Sequence, residues 1–247
     1  MVLENRGRSR GYRELLGAMM AATSLKPGDS ALEVGCGSGA VMRWLAKYTD
    51  GQNELTGIDI NAYLLAEGNA LAQKEGSDAL ITTKKGSALS IPFPDNSFDV
   101  TYSVTVIEEV EADPMIAEMI RVTKPGGQVA VICRASDLPW VRNVPIEPDL
   151  KAKIEANHKE NASEGACADA SLYRRFRDAG LKSLITFPHF TPFTSSDPEI
   201  VSFIQAGILA GLTPEETQSW HTARARAEKD GSFVLAWPHH CAVGTKG

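Results

Sequence analysis

Apolar positions at three- and four-residue spacing over residues 12–24 predict an amphipathic helix that Pro27-Gly28 ends. Residues 30–34 follow as a short, continuous apolar run leading into glycines, the pattern of a buried strand. A helix over 40–48 places Val41, Trp44, Leu45 and Tyr48 on one stripe, so Trp44 reads as core. Strands are expected at 54–60 and 79–83, with Asn61 capping a helix through Lys74 between them. Residues 97–106, rich in Val, Thr, Tyr and Phe, form a fourth strand after the turn-forming cluster Pro92, Pro94, Asp95 and Asn96. Asp113 as cap and Pro114 as first helical residue open the next helix, which buries Ile116, Met119 and Ile120. Pro125-Gly126-Gly127 stops that helix and turns the chain into a fifth strand at 128–134.

Beyond 134 the alternation breaks into a proline-bearing loop and a charged helical stretch, 148–161, longer than an ordinary connection and suited to a lid or a substrate-side insertion. A helix at 171–179 and a sixth strand at 181–187 follow. Two helices lie between 197 and 229, separated by Gly211 and Thr213-Pro214, and a seventh strand at 233–243 closes the pattern. Strands and helices in alternation imply parallel pairing through right-handed crossovers.

Composition narrows the function classes. A chain of 247 residues, 43% hydrophobic and 23% charged, fits one domain over 1–247. Its net charge of −6 offers no positive excess for nucleic acid or anionic lipid, so neither is an expected partner. No segment approaches the roughly 18 apolar residues that span a bilayer, and residues 15–25 read as part of a helix rather than a leader. Cys36, Cys133, Cys167 and Cys241 are widely separated, which suggests free thiols and a cytoplasmic setting. His239 and His240 point to opposite faces of a strand, so no metal site is expected there.

The sharpest local signal is Glu33-Val34-Gly35-Cys36-Gly37-Ser38-Gly39 between a strand and a helix. Alternating glycines let the main chain turn tightly and approach a ligand where a Cβ would intrude. Gly35-x-Gly37-x-x-Ala40 with Asp59 also satisfies the dinucleotide fingerprint, so the loop alone leaves a nicotinamide-dependent oxidoreductase open.

Together with Gly86-Ser87-Ala88-Leu89, the run Phe93-Pro94-Asp95-Asn96-Ser97-Phe98-Asp99 and the helix stop Arg121-Val122-Thr123-Lys124-Pro125-Gly126-Gly127, the loop resembles class I S-adenosylmethionine-dependent methyltransferases, in the small-molecule, quinone-biosynthesis-like (type 11) branch. The resemblance implies an α/β fold with a seven-stranded, mostly parallel Rossmann-like sheet, helices on both faces and a helical lid or insertion in the C-terminal half. It implies a cofactor-binding core over 25–134 and substrate-side insertions at 135–168 and 190–231. The implied cofactor is S-adenosylmethionine, leaving as S-adenosylhomocysteine. Gly35, Cys36, Gly37 and Gly39 would underlie its methionine part, Glu33 its amino group, Asp59 the ribose hydroxyls and Ile60 the adenine face, with Ser87, Ala88, Leu89, Ser103 and Val104 completing the site. Relatives commonly carry an acid where this chain has Ser87, and Glu-His where it has Glu108-Glu109.

Methyl transfer is an in-line displacement from an already activated sulfonium, so alignment does most of the work and no catalytic residue is assigned from sequence. In an open α/β sheet the ligand site lies at the carboxyl ends of the strands. That rule makes Glu108, Trp140, His158, His189 and Phe193 the acceptor-side candidates, and the aromatics suggest an apolar or aromatic small-molecule acceptor. A cofactor-binding protein that does not methylate, or a regulatory protein on this fold, is the other class the sequence allows. Replacing Asp59 with Ala should weaken cofactor binding by roughly 1–3 kcal/mol through loss of a charged acceptor. Calorimetry returning unchanged affinity would remove Asp59 from the site.

Overall fold

Strand β1 (Ser30–Val34) is apolar on both faces because it is sandwiched between layers, and it pairs in parallel with β2 (Glu54–Asp59) and β4 (Phe98–Val104). The computed structural model describes residues 2–157 and 163–247. Beyond β2 lies β3 (Ile81–Lys85), and beyond β4 lies β5 (Thr123–Arg134), both again parallel to their neighbours. The order is therefore β3-β2-β1-β4-β5, and the direction of winding reverses between β1 and β4. A crevice opens at such a reversal, at the carboxyl ends of the two strands.

Antiparallel β8 (Leu235–Thr245) continues the sheet. One of its sides pairs with β7 (Lys182–Phe193), and the other with β5 and then with the two-residue β6 (Val141–Arg142). The described sheet thus has eight strands rather than the expected seven, β6 being too short to leave a sequence pattern. Strand β7 also runs six residues past the expected end at Phe187. Pro188 and Pro192 hid this extension, and they are tolerated because β7 pairs on one side only and proline costs an edge strand no ladder bond.

Helices cover both faces. On one, α2 (Arg10–Thr23) buries Tyr12, Leu15, Leu16, Met19, Met20 and Thr23, and α3 (Ala40–Tyr48) buries Val41, Met42, Leu45 and Ala46 beside it. The Leu, Met and Val side chains among them each contribute about 1.5–3 kcal/mol when fully buried. On the other face, α5 (Ala112–Val122) and α7 (Ser171–Asp178) close over Val129, Val131 and Cys133 of β5. Asn61 caps α4 (Ala62–Glu75) as its position suggests, accepting from the backbone of Tyr63 and Leu64. A third apolar cluster joins α6 (Pro148–Asn157), α8 (Pro198–Leu209) and α9 (Pro214–Lys229) to the start of β8.

Three local readings change. Helix α5 begins at Ala112 after Glu111, so Asp113 and Pro114 occupy its first turn instead of its cap. Strand β5 begins at Thr123 and passes through Pro125-Gly126-Gly127, which kinks the strand entry instead of preceding it. Helix α1 (Val2–Arg8) has no apolar stripe that could announce it and is held by tertiary contacts.

Gly68 shows how the helical layer positions the glycine loop. A Cβ on this α4 residue would stand 2.5 Å from the Ser38 carbonyl oxygen, so α4 and the loop meet backbone to backbone. Gly68→Ala should therefore destabilise the protein by about 1–3 kcal/mol, the usual cost of overpacking, despite alanine's better helix propensity. Chemical denaturation showing a gain in stability would mean the loop yields.

Candidate functional site

Glu33 sits at the carboxyl end of β1 and is 2% exposed. Its Oε2 accepts a hydrogen bond from the Tyr102 hydroxyl at 3.3 Å, and the Met42 backbone supplies another to the carboxyl. Burial dominates its chemistry and lifts its pKa to about 8, with the neighbouring Asp59 charge adding to the rise. Nothing inside the fold neutralises that carboxylate by direct ion pairing among the described residues, so the position suits a cation brought by a ligand.

The chain then bends sharply. The N–H groups of Gly35 and Cys36 both donate to the Ile58 carbonyl, at 2.8 and 2.9 Å, tying the loop to the end of β2. Gly35 has φ +76°, and a Cβ there would lie 2.4 Å from Val106 Cγ2, so both conformation and packing demand glycine. Gly37, at φ +53°, donates its N–H to Asp59 Oδ2 at 2.8 Å, while Asp59 Oδ1 accepts from Asn61 N at 2.8 Å. Each carboxylate oxygen keeps a lone pair for another donor. Gly39 forms the N-cap of α3.

Around the outer half of this crevice, Ile60 is 69% and Leu89 40% exposed, leaving an open apolar surface beside Asp59. Ser87 accepts from Leu89 N at 3.2 Å and shapes that turn, with Ala88 buried beneath it. Ser103 is buried and its hydroxyl donates to the Val34 carbonyl at 2.8 Å, so it clamps β4 to β1. Val104 borders the loop cavity, and Cys36 is buried there with its thiol pKa pushed up by burial.

The inner half is roofed by α1, which sequence reasoning missed. Glu4 accepts from Ser38 Oγ at 2.6 Å and from Arg43 Nη2 at 2.5 Å, and the Leu3 side chain reaches to 3.0 Å from the place a Gly37 Cβ would take. Arg6 donates to Tyr12 Oη at 2.7 Å and to Thr105 Oγ1 at 3.0 Å. The space left between this roof and the loop is about 50 Å³, bordered by Leu3, Arg6, Tyr12, Glu33 and Val104 among others. A nucleoside-sized ligand can thus lie along Asp59 and Ile60, but its inner end enters only where α1 makes room.

The acceptor-side candidates do not all meet. Glu108 is 2% exposed and accepts from Arg134 N and Nε at 3.1 and 3.0 Å, while its Oε2 has no partner among the described residues. Burial pushes its carboxyl up, offset in part by Arg134. Glu109, in the place where relatives carry histidine, pairs with Arg134 Nη2 at 3.0 Å. Trp140 and Phe193 pack edgewise on Trp237, at 5.4 and 5.0 Å between ring centroids, and Phe193 is wholly buried. His189 is paired in register with His239 and is shifted below its ordinary pKa by burial. His158 lies outside the described residues.

Trp237 and His239 were also missed, although their two-residue spacing on a strand was visible. His239 is 1% exposed, its Nδ1 lies 3.1 Å from Thr191 Oγ1, and burial with the nearby Arg6 charge pushes its pKa down to about 3. His240, on the opposite face, links Tyr173 at 2.7 Å to Asp137 at 2.8 Å.

The residues therefore offer an acidic inner end, a close main-chain turn, a carboxylate with free acceptor capacity and an open apolar ledge. A sulfonium nucleoside carrying an ammonium group, ribose hydroxyls and a flat base fits this series.

Residues 32–131 match the family model described as a methyltransferase domain. A sterol 24-C-methyltransferase of Gibberella zeae is 36% identical over 104 residues, 42% of this chain and 27% of that relative. A demethylmenaquinone methyltransferase of Symbiobacterium thermophilum is 33% identical over 124 residues, 50% of this chain and 49% of the relative. The chain thus spans about half or less of the length of these curated relatives. A geranyl diphosphate methyltransferase solved with S-adenosylmethionine shares the fold, with a TM-score of 0.56 at 17% identity over 97% of this chain and 92% of that one. No helix among the described residues is long and apolar enough to cross a membrane.

The Glu33 carboxyl gives a signed pH prediction. Its pKa is raised on folding, so its stabilising contribution is complete below the unfolded value near 4.5 and is lost as pH rises through about 8. The ligand-free protein should lose stability between pH 5 and 8, and Glu33→Gln should flatten that slope. Denaturation curves with the same slope in both proteins would show that Glu33 ionises freely.

Proposed function

We propose that this chain, which carries a class I methyltransferase domain, transfers a methyl group from S-adenosylmethionine to a small organic acceptor. The carrying observation is the coincidence of the buried, cation-seeking Glu33 with the main-chain turn at Gly35 and Gly37 and with Asp59 bonded to that turn. The family match over residues 32–131 supports the same cofactor.

When bound, the cofactor supplies a methyl group on a sulfonium sulfur, already activated for displacement. The chain's own task is orientation. Glu33 would hold the amino group by charge, and the proton that burial favours on its carboxyl would pass to solvent as that contact forms. Asp59 accepts from the ribose hydroxyls while its hydrogen bonds to Gly37 and Asn61 keep its plane fixed. Ile60 and Leu89 flank the base. Helix α1 and Tyr12 exclude water from the inner end, which leaves electrostatic contacts there strong.

The acceptor side is built from the segments expected to be insertions, 135–168 and 190–231, around the 25–134 core of a single domain. Trp140 and Phe193 pack edgewise on Trp237 of β8, and this aromatic cluster supports an apolar or aromatic acceptor. No general base is assigned: Glu108 is engaged by Arg134, and the displacement itself needs none when the acceptor is already nucleophilic. The four buried free cysteines fit a reducing, cytoplasmic setting.

Calorimetric titration with S-adenosylmethionine, followed by incubation of the protein with methyl-labelled cofactor and small-metabolite fractions, tests the reading. Label is expected in a small organic product. Tight cofactor binding with no label in any fraction would favour a non-methylating enzyme or a regulatory protein, and tight binding of a nicotinamide dinucleotide instead would replace the cofactor assignment.

A further inference from the structure

The buried nitrogens without hydrogen-bond partners among the described residues include Arg6 Nε, Trp237 Nε1 and His239 Nε2. Trp237 and His239 stand two residues apart on β8, so their side chains leave the same face of the sheet. Arg6 reaches that face from α1, with its guanidinium carbon 6.0 Å from the Trp237 ring centroid. It donates to two neutral oxygens, those of Tyr12 and Thr105, and forms no ion pair among the described residues. By contrast, the cation opposite His239 on β5, Arg134, is engaged by Glu108 and Glu109.

Leaving a buried donor unpaired costs about 1–3 kcal/mol, more for a charged group. Three such atoms grouped around one guanidinium make sense if a ligand satisfies them. A guanidinium beside an indole N–H and an imidazole edge is a donor set for an oxyanion, since charge-assisted hydrogen bonds to carboxylate are the strong ones. Thr191 Oγ1 lies 3.1 Å from His239 Nδ1, and in the tautomer where that hydroxyl donates to Nδ1, Nε2 is an N–H donor. His239 is neutral in this setting, so the positive charge comes from Arg6. Phe193, Trp140 and Phe203 surround Trp237 at 5.0, 5.4 and 6.5 Å and make the adjoining wall aromatic.

We propose that Arg6, Trp237 and His239 form a subsite for a carboxylate-class oxyanion carried by an aromatic or apolar methyl acceptor. The proposal rests on the methyltransferase reading and gives the acceptor its chemical class. The cofactor carries a carboxylate of its own, but only Arg6 of the three borders the cavity over the glycine loop. Trp237 and His239 lie outside that border, on the acceptor side.

The test uses the full chain saturated with S-adenosylhomocysteine, and benzoate and benzamide as probes in ligand-detected NMR and calorimetry. Benzoate should bind at least tenfold more tightly than the neutral isostere. Trp237→Phe, which keeps the ring and removes the N–H, should weaken benzoate at least threefold while leaving S-adenosylhomocysteine affinity unchanged. Arg6→Gln should erase the preference for benzoate, with thermal melts and circular dichroism of both variants confirming the native fold. Equal binding of the two probes, no benzoate binding, or indifference to Trp237→Phe overturns the proposal. So does a result in which Arg6→Gln weakens S-adenosylhomocysteine but not methylthioadenosine, which lacks the amino-acid carboxylate, while benzoate binding is untouched. If the unaltered protein fails to bind S-adenosylhomocysteine, the methyltransferase reading falls along with it; if it binds and only the probe results fail, that reading stands.

Discussion

The bend between β1 and α3 is the constraint from which the site follows. One carbonyl, that of Ile58, receives two consecutive N–H groups from the loop, and the side chain of Val106 fills the volume that any Cβ at Gly35 would need. The loop is therefore fastened to the strand on one side and pressed by the segment after β4 on the other. Because Asp59 follows Ile58 directly, the bond that shapes the loop also brings a carboxylate within reach of Gly37. The backbone of α4 closes on Ser38 from outside. Sheet order contributes the rest, since β1 and β4 diverge where the winding reverses and leave space for a ligand above the bend.

The parts of this arrangement that local chemistry determines were legible in the sequence. Glycines alternating after an apolar strand, Asn61 at a helix start and Thr213-Pro214 followed by Glu216 all act through neighbours a few residues away, and the last forms a full capping box. The parts created by long-range contact were hidden. Helix α1 lacks an apolar stripe and depends on Glu4 meeting Arg43 and Ser38, some 35 residues away in sequence. Trp237 and His239 belong to a strand whose pattern was visible, but their importance comes from Arg6, at the other end of the chain. Ser103 also joins two strands, a role that only the pairing of β1 with β4 defines.

Two buried groups, Glu33 and His239, carry opposite tendencies. Glu33 is driven to keep its proton and His239 to lose its own, and in both cases burial is the leading cause. Both groups, unlike Asp59, are thus held neutral, which lowers the desolvation cost of assembling the site. Arg6 stands between them with its charge, and the roof helix that carries it is anchored by the Glu4–Arg43 pair, of which Arg43 is buried.

The outer border of the sheet has its own consequence. With Pro188 and Pro192 in β7, an incoming strand from another molecule would meet two positions unable to donate a main-chain hydrogen bond. The longest exposed border of the fold is consequently a poor template for edge-to-edge association, and the protein can keep a twelve-residue strand at its margin without inviting self-aggregation.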